Sequence, residues 1–135
     1  MKPSQRIYNI NKVCDNRGSL SFATIAEDIP FDVKRIFWIT DVPDGATRGG
    51  HAHSTCHELL FVVNGAMTLH IGDESFRLTR SDEGVAIWAG EWCELKDFAP
   101  ETVIVVLASE EYNPSGYINS REEYEKFVKS RCYEE

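Results

Sequence analysis

Residues 51–58, "HAHSTCHE", hold three histidines, a cysteine and a glutamate. Imidazole accepts and releases protons near neutrality, and it is also a common metal ligand. His51 and His53 stand one residue apart. On a strand, residues two apart project from the same face, so this pair would point into one space. Three chemistries fit the pattern: a metal site, a pair of proton carriers, or ordinary polar residues on an exposed strand.

The elements that must position the pair are short and β-rich from about residue 5 to residue 109. Apolar runs of strand length recur in "SFATIA", "VKRIFWIT", "HELLFVV", "AMTLHI", "SFRLT", "GVAIWA" and "TVIVVLAS". Turn signals separate them at Asn16-Arg17-Gly18, Pro43-Asp44-Gly45, Asn64-Gly65, Gly72-Asp73 and Ser81-Asp82-Glu83-Gly84. Asn64-Gly65 is the strongest hairpin signal, because both residues tolerate the positive φ of a type I′ turn. Closely spaced strands without intervening helices predict a sandwich or barrel. The period then changes: Ser120 and Glu123 form a capping box, with Tyr124, Phe127 and Val128 on one helical face up to about Arg131. The expectation is an all-β barrel with one C-terminal α-helix, and residues 1–135 as a single domain.

Composition narrows the function classes. The chain is 42% hydrophobic and 27% charged, ordinary for a soluble globular protein. A net charge of −8 argues against a phosphate-backbone partner, so no nucleic acid is expected. No apolar run is long enough to span a bilayer, and "MKPSQRIYNINK" lacks the apolar core of a signal peptide. The expectations are no membrane and a cytoplasmic location. Cys14, Cys56, Cys93 and Cys132 contain no C-x-x-C pair and read as reduced, structural thiols.

Around the histidines the spacing extends further. Gly45, His51, His53, Glu58 and Gly65 fit G-x5-H-x-H-x4-E-x6-G. This resembles the first sequence motif of the cupins, small jelly-roll β-barrels. In metal-binding cupins the two histidines and the glutamate are ligands, and a histidine of a second motif completes the sphere. Here the matching position, three after Gly90, holds Cys93. A thiolate can bind zinc or iron, so His51, His53, Glu58 and Cys93 form the metal alternative. The competing reading of Cys93 is a small buried hydrophobe.

Two longer stretches carry a closer resemblance. "DNRGSLSFATIAEDIPFDVKRIFWI" runs into "RGGHAH", and "WCELKDF" runs into "VLASEEYN", a Tyr-Ile pair and "YEKF". Over about residues 6–130 the chain resembles the WxcM-like cupins, whose characterised members are 3,4-ketoisomerases of thymidine-diphosphate-linked 4-keto-6-deoxyhexoses. The resemblance implies a cupin-type jelly roll, a nucleotide-sugar substrate, no cofactor and a homodimer with N-terminal strands contributing across its interface. It implies that His51 and His53 act jointly as the acid/base pair, without saying which takes the carbon proton. Arg48 matches a pocket arginine that could stabilise enediolate charge or hold a phosphate. Arg17, in "RGSL", is a weaker candidate for the sugar or diphosphate.

Two departures bear on the substrate site. Cys93 stands where the family carries histidine or arginine reaching the sugar, which leaves the configuration at carbon 4 open. Phe37 and Trp38 replace tyrosines; Trp38 could stack on a base or sugar face, although both also fit a core role. His57 reads as a surface or strand-edge residue, His70 receives no role, Trp88 and Trp92 pack in or rim the barrel, and Glu94 matches a family glutamate of no assigned role. A silent sugar-nucleotide-binding module is the remaining alternative.

Overall fold

Alternation along the strands writes two faces, and the computed structural model, which describes residues 5–134 with side chains through Arg131, folds them into two facing sheets. The strands are β1 (Ile7–Asn9), β2 (Asn11–Asp15), β3 (Gly18–Phe22), β4 (Arg35–Ile39), β5 (Arg48–His53), β6 (Glu58–Asn64), β7 (Met67–Ile71), β8 (Glu74–Leu78), β9 (Glu83–Ile87), β10 (Cys93–Lys96), β11 (Val103–Ala108) and β12 (Tyr117–Ile118). One five-stranded sheet has the order β1-β9-β6-β11-β4, the other β12-β5-β10-β7-β8, and β2-β3 form a separate ribbon. All pairings are antiparallel. This is the jelly-roll arrangement expected of a cupin-type barrel.

The main core lies between the sheets and follows the period of two. Leu60 and Val62 of β6 meet Met67, Leu69 and Ile71 of β7, with Val85, Ile87, Ile104 and Val106 from neighbouring strands. The opposite face of β6 is buried as well: Leu59 and Phe61 pack with Ile29, Ala86 and Trp88. That double burial explains the unbroken apolar run "ELLFVV", which shows no alternation of polarity.

Several local expectations change in three dimensions. Asn64-Gly65 is not a hairpin: β6 and β7 lie in different sheets, and the turn carries the chain across the barrel. Gly65, at φ +82°, sits against Thr102, whose Oγ1 accepts the Ala66 N–H at 3.3 Å. Gly72-Asp73 makes the tight hairpin instead, joining β7 and β8. The end of "SFATIA" leaves the strand for a short helix, α1 (Ile25–Asp28), where Asp28 Oδ2 accepts the Thr24 N–H at 2.8 Å. Residues 93–96, not foreseen as a strand, form β10 between β5 and β7.

The C-terminal helix α2 (Arg121–Glu134) starts where expected, with Ser120 Oγ accepting the Glu123 N–H at 3.1 Å. Tyr124 and Phe127 pack on Ala52, Trp92 and Ile118, whereas Val128 turns to solvent. Cys132 lies outside the described side chains. Among the described residues, no helix is long and apolar enough to cross a membrane.

Two glycines with positive φ separate steric from conformational cost. A Cβ at Gly65 would clash with Thr102 Oγ1 and lie 2.8 Å from Thr102 Cα, whereas one at Gly72 meets nothing within 4 Å. Gly72→Ala should cost about 1–2 kcal/mol from left-handed strain alone. Gly65→Ala should cost clearly more, because backbone must also move. Urea unfolding of the two variants tests the difference, and equal losses would contradict it.

Candidate active site

Strand β5 does the positioning. His51 and His53 face the space between the sheets, while Ala52, fully buried, faces α2. The rings of the two histidines meet edge to face with centroids 4.9 Å apart. Strand β12 pairs with β5 in the register Tyr117↔His53, and the Tyr117 ring lies 4.4 Å from His53 and 5.2 Å from His51. Tyr117 is the main contributor that reading the sequence missed. Its partner lies 64 residues away, and only the strand register reveals the pairing.

Around these rings is a cavity of about 150 Å³. Its polar walls come from Arg48, His51, His53, Glu58 and Tyr117, and its apolar walls include Phe37, Ile39, Leu60 and Cys93. The mixture is that of a small-molecule site: mostly apolar, with a few convergent polar groups.

Three electrostatic features define the site. Burial pushes the His51 pKa below the usual imidazole value, and neighbouring His53 adds to that push; Glu58 opposes it. At neutral pH His51 is therefore the uncharged imidazole, able to accept a proton. His53, only 5% exposed, has Nε2 3.3 Å from Glu58 Oε2, but off the direction of a hydrogen bond. The pair is a contact between a buried imidazole and a carboxylate, with the nitrogen still lacking a hydrogen-bond partner. Burial pushes the Cys93 thiol far up, and the nearby carboxylate of Glu58 adds to the shift, so the thiolate does not form in the physiological range.

Of the substrate-binding candidates, Arg48 and Cys93 line the cavity and two others do not. Trp38 is 65% exposed on the outer face of β4. Alternation on that strand sends Phe37 and Ile39 inward instead. Arg17 sits at the tip of the β2-β3 ribbon, bound to Asp15 through Nη2–Oδ2 at 2.7 Å and away from its own chain's cavity.

The arrangement of side chains does not favour the metal alternative. Among the described residues, no group of three or more histidine, cysteine, aspartate or glutamate side chains is arranged to hold an ion. Glu58 turns to His53, and Cys93 is a protonated thiol in the core.

His57, half-buried at the edge of β6, also holds a turn in place. Its Nδ1 accepts the Ala89 N–H at 2.9 Å, and its ring lies against Trp88 and Phe31 with centroids 5.2 Å and 6.1 Å away. The turn it holds also touches the site, because the Gly90 N–H donates to the His53 carbonyl at 2.7 Å. Trp92 donates to Glu94 at 3.0 Å and packs beneath β5.

A jelly-roll barrel with paired imidazoles at its cavity is a cupin-type fold carrying two candidate proton carriers. The chain belongs to the WxcM-like, C-terminal family, whose model matches residues 3–129. It is 31% identical over 127 residues to the TDP-4-oxo-6-deoxy-alpha-D-glucose-3,4-oxoisomerase of Aneurinibacillus thermoaerophilus, covering 91% of each chain. A 3,4-ketoisomerase from Helicobacter canadensis superposes with a TM-score of 0.87 at 33% identity, over 91% of this chain and 96% of that one. A sugar 3,4-ketoisomerase from Thermoanaerobacterium thermosaccharolyticum, solved in complex with TDP, gives 0.84 at 35% identity, over 93% and 94%.

Thiol reactivity checks the Cys93 assignment. Iodoacetamide at pH 8 should label exposed Cys14 far faster than buried Cys93. Alkylation should reach Cys93 only on unfolding, and mass-spectrometric mapping of a time course reads both sites. Rapid native labelling of Cys93 would return a reactive thiolate to the site.

Proposed function

We infer that the chain is an isomerase that converts a TDP-4-keto-6-deoxyhexose to its 3-keto isomer. The observation that carries this reading is the pair of edge-to-face imidazoles, one buried and one partly buried, in the cavity of a WxcM-like barrel. The named activities of similar proteins supply the substrate class.

The reaction exchanges a carbonyl and a hydroxyl between neighbouring carbons. A base removes the proton from carbon 3, acidified by the carbonyl at carbon 4, and gives an enediol. An acid then protonates carbon 4 while the carbon-3 oxygen loses its proton and becomes the carbonyl. Protons and electrons balance within the sugar, so the step needs no redox partner. His51 and His53 are assigned jointly as the acid and base. Their separation lets two imidazoles serve adjacent centres without large motion. Arg48 is assigned to developing enediolate charge or to the diphosphate. Cys93, neutral and short, is assigned to the wall against the sugar.

The chain is further read as one domain working as a cytoplasmic homodimer. Val13, Leu20, Phe22, Ile36 and Trp38 are exposed on the β2-β3 ribbon and the edge strand β4, an apolar surface suited to a second copy. In such a dimer Arg17 and Trp38 would serve the partner's cavity rather than their own. Light scattering should then give about twice the 15.3 kDa chain mass, and Trp38→Glu should shift it toward one.

The central test is proton NMR of TDP-4-keto-6-deoxyglucose with the protein in deuterated buffer. Deuterium should enter at carbon 3 or 4, and His51→Asn and His53→Asn should each lower turnover by about 100-fold or more. Because burial lowers the His51 pKa, the acid limb of kcat/KM should fall at a lower pH than an ordinary imidazole would set. Binding without exchange would instead support the silent sugar-nucleotide module.

A further inference from the structure

The two imidazoles of β5 are held by different devices. Strand β10 pairs with β5 only as far as Cys93↔His51. His53, two residues on, lies past the end of that ladder, and its carbonyl accepts the Gly90 N–H at 2.7 Å instead. Gly90 belongs to the turn 88–91, which joins β9 to β10 between Ile87 and Cys93, two residues of the cavity wall. The placing of one imidazole against the other thus depends on a strand ladder at His51 and on this turn at His53.

The turn is held from several sides. Glu91 Oε1 accepts the Trp88 N–H at 2.7 Å, the Trp88 carbonyl accepts the Glu91 N–H at 3.1 Å, and the Tyr124 hydroxyl donates to the Gly90 carbonyl at 2.9 Å. The Ala89 N–H goes to an imidazole, His57 Nδ1, at 2.9 Å. A nitrogen that accepts a hydrogen bond carries a lone pair, so the His57 ring is neutral with its proton on Nε2. The ring is well anchored. The His57 N–H donates to Ser109 Oγ at 2.8 Å, its carbonyl accepts the Ser109 N–H at 2.9 Å, and the ring meets Trp88 edge to face. One turn therefore closes both ends of the β5–β6 connection: Gly90 holds His53, and Ala89 holds His57. His57 itself is not part of the cavity wall.

We propose that His57 is a positioning residue for His53: by accepting the Ala89 N–H it fixes the turn 88–91, and through Gly90 it fixes the backbone from which the second imidazole projects. Its effect on the reaction rests on the isomerase reading above. Without the acceptor the Ala89 N–H turns to water, the turn moves with it, and His53 shifts against His51. Proton transfer at carbon needs reacting atoms aligned near contact distance, so the loss falls on kcat rather than on KM.

Two substitutions separate the acceptor from the ring. His57→Phe keeps an aromatic ring against Trp88 and removes the acceptor. His57→Asn gives up the ring but places an oxygen, like Nδ1, two bonds beyond Cβ. With TDP-4-keto-6-deoxyglucose, kcat should fall about tenfold or more in His57→Phe while KM stays within about twofold, and His57→Asn should recover most of the loss. A role in packing alone predicts the reverse order, with the ring-bearing variant the better one. Unchanged kcat in His57→Phe, or His57→Asn no better than His57→Phe, overturns the proposal.

Two NMR readouts need no turnover. Nitrogen shifts of the unmodified protein should show His57 Nδ1 without a proton, and a protonated Nδ1 overturns the proposal. The Gly90 amide should exchange with deuterated solvent about tenfold faster or more in His57→Phe and return toward its original rate in His57→Asn. Equal exchange in all three proteins overturns the link to His53. Should His57→Phe not fold, His57→Leu makes the same comparison. No turnover by the unmodified protein would remove the isomerase reading, and the Gly90 exchange rates would still decide whether His57 holds the turn that holds His53.

Discussion

The site depends on the two-residue period of β5, because that period makes one strand serve two interiors. His51 and His53 turn toward the cavity, and Ala52 between them turns toward Trp92, Ile118, Tyr124 and Phe127. Ala52 has no exposed surface at all, so the distance between β5 and the helix layer is set by its single methyl. A larger residue there would lift the strand and displace both imidazoles together. The strand is also fixed on both edges, by β12 through Tyr117 and Ile118 and by β10 through an irregularity at Cys93/Glu94. At that irregularity, Gly49 approaches so closely that a Cβ would lie 3.0 Å from the Cys93 carbonyl oxygen. Site geometry is thereby tied to backbone spacing rather than to flexible side chains.

The same enclosure sets the electrostatics. Removing imidazoles from water disfavours their charged forms, and two of them together disfavour it further. Burial and His53 both depress His51, while Glu58 works in the other direction. One carboxylate beside two imidazoles leaves room for a single proton to be shared without a second buried positive charge. That condition suits an isomerisation, which moves protons within the substrate and ends with the protein in its starting state. A metal ion in this place would need the lone pairs of both histidines and of Glu58 aimed at one point. His53 and Glu58 lie 3.3 Å apart, and among the described residues no third histidine, cysteine or carboxylate joins them in a group that could hold an ion.

Much of this was legible in the sequence, and what was not was nonlocal. Strand content, the terminal helix and its Ser120 cap, and the common face of His51 and His53 follow from local period and spacing. The Asn64-Gly65 turn shows the limit: its φ preference is local, whereas the sheet its next strand joins is decided by packing across the barrel. Trp38 and Phe37 were interchangeable as letters, and only strand orientation turns one out and the other in. Tyr117 and His57 were obscure for a related reason. The first meets the site through a two-residue strand far along the chain, and the second through a backbone N–H that has no signature in sequence.

The departures from the family pattern can be weighed by asking which polar groups remain at the cavity. Phe37 offers no hydroxyl, and Cys93, its thiol held protonated by burial, offers no charge. What remains is Arg48, the two histidines, Glu58 and Tyr117. Of these, Arg48 cannot give up its proton, and Glu58 is buried against His53 rather than presented to open space. On the proposed reading, proton transfer to carbon falls to the imidazoles, with the Tyr117 phenol as the remaining uncharged donor on the wall. A site reduced in this way loses charged groups that could select one epimer at carbon 4, while keeping the paired imidazoles that the isomerisation itself requires. On the proposed reading, product configuration is governed by the shape of the Phe37–Cys93 wall, whereas the rate is governed by β5.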